Sequence, residues 1–324
     1  MTYLVTGGNG FIGSHVVRNL IKEGKRVIVY DLNPSPAPLQ RLISAEELEK
    51  QVKIVHGDVT DYALLLKTLK ENEVEKIIHL AAVMILEFNA NPLLGVKTNL
   101  EGTAAVFEAA RFLNIKKVVW ASSGSVFGPE MMYKEEYIPN DAPQYPQNLY
   151  GAAKSFDEIL ANHYTARYGL DITALRFVMV YGAGQTNGRT AAIMKQMVYN
   201  PALGKPGRVP AAADNVLGWT YVDDAARAVV MAAKASNLKT KAFSVMGKIH
   251  TVKEVADAVL NLLPKAKIDL MPLEKSASHT IMTCKYDTSR IEEELGFYPE
   301  WDMERGIKAT INNVRQENGL SEMV

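Results

Sequence analysis

The sequence predicts an α/β protein: a doubly wound parallel sheet followed by a smaller, mixed α/β region. Three observations carry this. Short apolar runs alternate regularly with helical patterns as far as Phe177. A glycine cluster sits between the first run and the first helical pattern. Beyond Phe177 the alternation loosens, and Gly and Pro gather between Gly182 and Gly218.

The elements follow in order. Tyr3–Thr6 is a short apolar run ending at glycines, and a helical pattern begins near Phe11. Arg26–Tyr30 is the next β-branched run, followed by the proline-rich surface loop Asn33–Pro38. Val52–Val55 predicts a third strand, and a helix starts near Asp61, a good N-cap. Lys76–Leu80 is the fourth strand. A long helical stretch, Pro92–Leu113, leads to a fifth strand at Lys117–Ala121. A helix from about Gln147 to Tyr168 precedes a strand at Asp171–Phe177. Strands buried on both faces read as continuous apolar runs, as these do. Strand–helix alternation of this kind specifies a parallel sheet with helices on both faces. In the second half the pattern gives a helix over Val222–Ala235, a strand near Ala242–Val245 and a helix over Val252–Leu263. Two further helices are expected at about Thr288–Leu295 and Met303–Glu317. The expected division is residues 1–177, with a return contribution from about 219–240, and residues 178–324 as a mainly substrate-binding region.

Composition excludes several classes. The chain has 324 residues, 48% hydrophobic and 22% charged, enough apolar content for a packed core. Lys plus Arg equals Asp plus Glu at 36, so the net charge is zero. A neutral chain has no global field to draw nucleic acid or an acidic membrane. Neither is expected as a partner. The longest apolar stretch, around Ile77–Leu86, contains His79 and is too short to span a bilayer. The start lacks the basic residues and cleavage site of a signal peptide. The one cysteine, Cys284, cannot form an intrachain disulfide and reads as a small hydrophobe. No zinc-type cluster appears, so no metal is expected. These features suit a cytoplasmic protein.

Thr6-Gly7-Gly8-Asn9-Gly10-Phe11-Ile12-Gly13 joins the first strand to the first helix. Glycines permit a tight turn and close approach of a pyrophosphate. The helix N-terminus offers that anion free N–H groups and a partial positive charge. Gly13 lets helix and strand pack closely. Asp31 closes the second strand near the expected spacing of about 20 residues. The context specifies a Rossmann-type dinucleotide site. A carboxylate at Asp31 accepts from a ribose 2′-hydroxyl and repels a 2′-phosphate, which favours NAD over NADP. Asp58, after the third strand, either meets the adenine or is a helix-capping turn residue.

Tyr150 and Lys154 stand four apart on a predicted helix, hence on one face. A nearby ammonium is expected to lower the phenol pKa from about 10 toward working pH. The phenol can then take or give an alcohol proton while a hydride moves. Ser122-Ser123-Gly124-Ser125 follows the fifth strand, at the sheet edge where ligands bind. A serine there either orients a substrate oxygen or belongs to a polar turn.

With these motifs the chain resembles the extended short-chain dehydrogenase/reductases, also called the NAD-dependent epimerase/dehydratase family. The resemblance covers nearly the whole chain. It rests on Thr6–Gly13, Asp31, Gly57-Asp58-Val59, His79-Leu80-Ala81-Ala82, Asn99, Ala121–Gly128, Tyr150 with Lys154, Leu175-Arg176, Val180-Tyr181-Gly182, Tyr221-Val222-Asp223-Asp224 and Leu295-Gly296-Phe297. It implies Tyr150 as general acid/base, Lys154 as its partner and a ligand of the nicotinamide ribose, and Ser123 as the catalytic serine. It places Gly7, Gly10, Phe11, Ile12, Gly13, Asp31, Asp58, Val59, Leu80, Ala81, Ala82, Asn99, Ser122, Phe177 and Val178 around the dinucleotide. Ser125, Met179, Arg189 and Trp219 are the expected substrate contacts, Met179 and Trp219 either shaping a less charged pocket or packing in the core. Relatives often form homodimers through the two long helices, where Val106, Phe107, Ala110 and Leu160 serve either core or interface.

The departures narrow the reaction. The family's 4,6-dehydratases usually carry an Asp-Glu pair where this chain has Gly124 and Ser125, which disfavours dehydration. Nucleotide-sugar epimerases commonly place an asparagine where this chain has Met179. They also tend to have an arginine near Trp219. Both changes remove polar handles for a sugar nucleotide. Arg189 and Arg208 remain as possible grips for an anion, or as exposed cations. Three readings follow. One is an NAD-dependent oxidoreductase acting at a secondary alcohol or ketone of a small polar, sugar-like substrate. The next is an epimerase of the UDP-glucose 4-epimerase kind. The third is a non-catalytic NAD-sensing protein, which the retention of both Tyr150 and Lys154 argues against.

Overall fold

The structure, a computed structural model, describes residues 1–272 and 283–323. Its centre is a seven-stranded parallel sheet. The strands of the first half are β1 (Thr2–Thr6), β2 (Arg26–Asp31), β3 (Val52–His56), β4 (Lys76–His79), β5 (Lys117–Ser123) and β6 (Asp171–Phe177). In the second half come β7 (Val180–Tyr181), β8 (Gly207–Ala212), β9 (Val216–Tyr221), β10 (Ala242–Val245), β11 (Lys248–Thr251), β12 (Ile268–Met271) and β13 (Thr283–Cys284). The large sheet runs β10-β6-β5-β4-β1-β2-β3. The chain steps outward from β1 through β2 to β3, then returns to the other side of β1 as β4. That reversal opens a crevice beyond the carboxyl ends of β1 and β4, the general ligand position in such sheets.

Alternation along each strand builds two apolar layers. Tyr3, Val5, Val27, Val29, Ile78 and Val119 join one cluster, shared with Val16, Val17 and Leu20 of the Phe11–Lys22 helix and with the Val222–Lys234 helix. Leu4, Ile28, Ile77, Val118 and Trp120 point into the opposite cluster, beneath helices Tyr62–Glu71, Gly102–Phe112 and Leu149–Tyr168. Asp61 caps the first of these helices, its carboxylate accepting from Leu64 N at 3.0 Å. Asn148 caps the last, accepting from Gly151 N at 2.9 Å.

The stretch expected as one helix over Pro92–Leu113 is helical from Pro92 to Phe112, with a wider π-type turn at Val96–Glu101. Several helices escape the sequence reading, among them Ala37–Gln40, Gly188–Met194 and the two that follow. Ala45–Gln51 carries a full capping box from Ser44 and Glu47. Ile85–Ala90 follows the loop after β4.

The second half divides its strands. β10 joins the large sheet, parallel to β6. β9 centres a smaller sheet, pairing with β7, β11 and β13. Its face packs on helices Val252–Leu262 and Met303–Glu317 through Leu217, Trp219, Val255 and Ile307. β8 pairs with β12. Residues 273–282, within the expected region 178–324, lie outside the described residues.

Candidate active site

The glycine loop leaves β1 at Thr6 and turns at Gly7, whose φ of +67° is a left-handed conformation suited to glycine. A Cβ on Gly7 would lie 2.8 Å from Ala81 N, and one on Gly13 would lie 2.1 Å from Gly7 O. The loop is therefore closed against β4, and the helix is drawn onto the loop. No side chain caps that helix, so its first N–H groups, at Phe11, Ile12 and Gly13, face the crevice without a side-chain acceptor. This is a cradle shaped for a pyrophosphate. Asp31 binds the loop: its carboxylate accepts from Asn9 N and Asn33 N, each at 2.9 Å.

Other expected dinucleotide contacts divide. Leu80, Ala81 and Ala82 line the rim half-buried, with Leu80 N and Ala81 N donating to Thr6 Oγ1 at 3.2 and 3.3 Å. Phe177 and Val178 are also half-buried at the end of β6. Asp58 uses Oδ1 to accept from Thr60 N and Thr60 Oγ1, at 2.9 and 2.8 Å, a turn-forming role. Val59 turns its side chain into the core, where Gly102 gives it room. Asn99 is 1% exposed, and both ends of its amide engage Val83, at 2.7 and 2.9 Å. It secures the loop after β4 with its side chain. Ser122 departs from expectation. Its hydroxyl donates to Glu158 Oε1 at 2.6 Å on the buried face of β5.

Ser123, Tyr150 and Lys154 come together at the carboxyl end of β5. The Ser123 hydroxyl lies beside the Tyr150 phenol and favours its ionised form. Ser123 Oγ also accepts from Ser125 N at 3.1 Å, which fixes the turn. Tyr150 is 7% exposed and packs with Val83, Phe88 and Ala153. Lys154, 2% exposed, donates to Ala121 O at 2.7 Å. Its Nζ stands 5.2 Å from the Trp120 ring centroid and 5.7 Å from that of Tyr150. Gly151 makes the assembly possible, because a Cβ there would sit 2.2 Å from Ser125 O. A glycine beside the tyrosine is the sequence signal for this close approach, and the sequence reading passed over it.

The electrostatics correct one expectation. The phenol is not lowered toward neutral pH. Burial pushes Tyr150 up to about 12, with the neighbouring Ser123 hydroxyl working downward and the Asp157 charge upward. Burial also pulls the Lys154 ammonium down from its ordinary value, against the charges of Asp157 and Glu158. The low dielectric acts against the charged form of both groups. Asp157 is a residue that sequence reasoning missed. It is wholly buried behind Lys154.

Of the expected substrate contacts, Ser125 is half-buried beside Ser123. Met179 is half-buried at the end of β6, its sulfur accepting from Thr190 Oγ1 at 3.4 Å. Arg189 is exposed in the Gly188–Met194 helix. Trp219 is corrected. Its indole is 3% exposed, donates to His250 O at 3.1 Å and meets Tyr181 edge-on. It packs the smaller sheet and leaves little surface for a ligand. Cys284 packs between two apolar clusters, free of any disulfide. A cavity of about 540 Å³ lies between Met84–Glu87 and Thr186–Lys195, and none of Ser123, Tyr150 or Lys154 lines it. Among the described residues no helix is long and apolar enough to cross a membrane, and no cluster of His, Cys, Asp and Glu could hold a metal ion.

The sheet order and the cradle define a dinucleotide-binding α/β protein of the Rossmann type. The model of the NAD dependent epimerase/dehydratase family matches residues 3–245, and the chain belongs to that family of NAD-dependent enzymes. A UDP-glucuronate 4-epimerase of Thermodesulfobacterium geofontis is 29% identical over 323 residues, covering 96% of this chain and 95% of that protein. The crystal structure of UDP-glucose 4-epimerase with UDP-glucose from Thermotoga maritima superposes with a TM-score of 0.84 at 26% identity, covering 98% of this chain and 100% of that one. A GalE-like L-threonine dehydrogenase from Cupriavidus necator gives a TM-score of 0.85 at 21% identity, covering 97% and 100%. That last likeness is one of fold.

Proposed function

We propose that the protein is an NAD-dependent dehydrogenase acting at a secondary alcohol or ketone of a small polar, sugar-like substrate. The observation that carries this is the convergence of Ser123, Tyr150 and the buried Lys154 at the carboxyl end of β5. Ser123 orients the substrate oxygen. Tyr150 takes the hydroxyl proton in oxidation and returns it in reduction. Lys154 favours the phenolate by its charge and holds the nicotinamide ribose. Phe11, Ile12 and Gly13 hold the pyrophosphate through their N–H groups, and Asp31 accepts from the adenosine ribose. NAD, when bound, supplies the acceptor for the hydride and a positive ring charge that favours the phenolate.

The residues at the substrate end support a ligand without a nucleotide. Met179 offers a thioether where nucleotide-sugar epimerases commonly carry an asparagine, and Trp219 is withdrawn into the core. Arg189 stands as the cation for a substrate carboxylate or phosphate. Screening sugar alcohols and sugar acids by NADH absorbance tests this. Turnover of such a compound, with no turnover of UDP-sugars, is the expected result.

The likeness to the 4-epimerases, over nearly the full length of both chains, favours a second reading. An epimerase makes the same first step, then returns the hydride to the other face of the ketone. The two differ in what happens to the cofactor. A dehydrogenase releases it each cycle, so purified protein should carry little NAD and bind it reversibly. Near-stoichiometric NAD released on denaturation would select the epimerase.

The protein also forms a homodimer in this reading. Val106, Phe107 and Ala110 are wholly buried, and Leu160 packs partly buried against their cluster, so these face the core. The same long helices leave Leu149, Phe156 and Ile159 exposed at 48%, 51% and 69%, and Phe112 at 66%. A second copy is the partner that this exposed apolar stripe suits.

A further inference from the structure

Lys154 is a cation sealed inside the protein. Its hydrogen bond to Ala121 O and its approach to the Trp120 and Tyr150 rings supply dipoles and ring faces, with no net negative charge. Burial disfavours an ammonium so placed. A counter-charge is needed, and the charges of two carboxylates on the same helix act on it, Asp157 and Glu158.

Glu158 is already committed. Its Oε1 accepts from Ser122 Oγ at 2.6 Å and Arg176 Nε at 2.8 Å. Its Oε2 accepts from Arg176 Nη2 and Gln144 Nε2, both at 2.6 Å. The Arg176 guanidinium, itself buried, matches that charge in a two-pronged pair.

Asp157 differs. It lies three residues beyond Lys154, within one helical turn, and is 0% exposed. The Thr103 hydroxyl, from the neighbouring Gly102–Phe112 helix, interacts with its carboxylate. Neither carboxylate oxygen has a hydrogen bond of good geometry. Thr103 Oγ1 is also within 3.1 Å of His79 Nε2, and His79 Nδ1 is 2.7 Å from Thr6 Oγ1 in the glycine loop. His79 brings no charge, since burial pulls it down to about 3. Tyr150 and Glu158 are the other titratable groups close by on the same helix. Among the described residues, Lys154 is thus the cation that faces Asp157. A carboxylate buried without full hydrogen bonding is costly unless a charge answers it.

We propose that Asp157 is a positioning residue for the hydride-transfer site: its sealed carboxylate is the counter-charge that keeps Lys154 protonated and seated against Ala121. This rests on the reading of Lys154 as the lysine that holds the nicotinamide ribose. Asp157 touches neither substrate nor cofactor and acts through Lys154. The direction follows. Burial lowers Lys154, and the Asp157 charge raises it. Removing that charge lets Lys154 lose its proton at lower pH.

The test is NAD binding by the intact protein, measured calorimetrically from pH 6 to about 10.5, where lysines titrate. Wild type should lose affinity as the pH rises through the Lys154 ionisation. Asp157→Asn keeps the side chain's shape and should move that loss to lower pH by about one unit or more, the range commanded by an adjacent opposite charge. An unmoved alkaline limb overturns the proposal. Lys154→Met separates the two claims, for it should weaken NAD binding and abolish the limb. If Lys154→Met retains wild-type affinity and the same limb, the underlying reading of Lys154 fails. If Lys154→Met is flat while Asp157→Asn matches wild type, only the proposal fails. Should Asp157→Asn not fold, Asp157→Ser removes the same charge with a smaller side chain. It should move the limb the same way, and an unmoved limb again overturns the proposal.

Discussion

Asp31 shows how one carboxylate can serve two purposes. It holds Asn9 N and Asn33 N, which shapes the glycine loop, and it stands at the ribose end of the crevice. Asp31→Ala removes a charged hydrogen-bond acceptor, worth about 1.5–3 kcal/mol. The ratio of kcat/KM for NAD over NADP should fall by about tenfold or more, since each 1.4 kcal/mol is a factor of ten. An unchanged ratio would refute the ribose assignment. His79 makes a second prediction at this scale. Its folded value, about 3, lies below the ordinary 6.5. Between those values the unfolded chain binds a proton that the folded chain does not. Stability from this group is therefore whole above about pH 6.5 and falls as the pH drops, by at most about 1.4 kcal/mol per unit. Asp157 works the other way, because burial raises it to about 7 and its protonation on acidification relieves the folded state. His79→Gln isolates the histidine. Comparing urea midpoints at pH 7 and pH 5, the variant should lose less stability on acidification than wild type, and an equal loss would contradict the account.

Legibility in the sequence depended on the kind of element. β1, β2, β5, β6 and β10 could be read because strands buried on both faces show as unbroken apolar runs. β11 and β12 could not, since Lys248, His250 and Asp269 interrupt them and each is only four residues long. The Ala45–Gln51 helix did carry a signal, Ser44 with Glu47, although none of its residues is buried to give an apolar stripe. Tyr150 and Lys154 were legible because one helix presents both. Asp157 was not. Its burial depends on Thr103 and on a packed neighbouring helix far away in the sequence. The apolar stripe on the Leu149–Tyr168 helix also emerged only from the fold, which sorts Phe156 and Ile159 outward and Ala161 inward. Ile159→Lys should leave the fold intact, as exposed positions tolerate change. In sedimentation it should shift the protein from dimer to monomer. A wild-type monomer, or a variant dimer of unchanged affinity, would contradict the proposed contact.

Across the whole molecule, one crevice receives its parts from distant stretches of chain. The loop after β1 brings the glycines, β2 brings Asp31, and β5 with the Leu149–Tyr168 helix brings Ser123, Tyr150 and Lys154; in the proposed function these are the anion cradle, the ribose carboxylate and the proton-handling group. The second half contributes β10 to the large sheet and forms a smaller sheet around β9. Neutral overall charge gives no long-range field to draw a ligand, so the proposed function leaves recognition to local groups. The central claim is that Tyr150 handles the proton. Its most direct test is Tyr150→Phe, assayed for NADH formation on an alcohol identified by screening, with NAD affinity and melting temperature measured alongside. The account predicts a folded protein that binds NAD as wild type does and loses turnover by about 10²-fold or more, the scale of a general acid–base contribution. Near-wild-type turnover in that variant would contradict it.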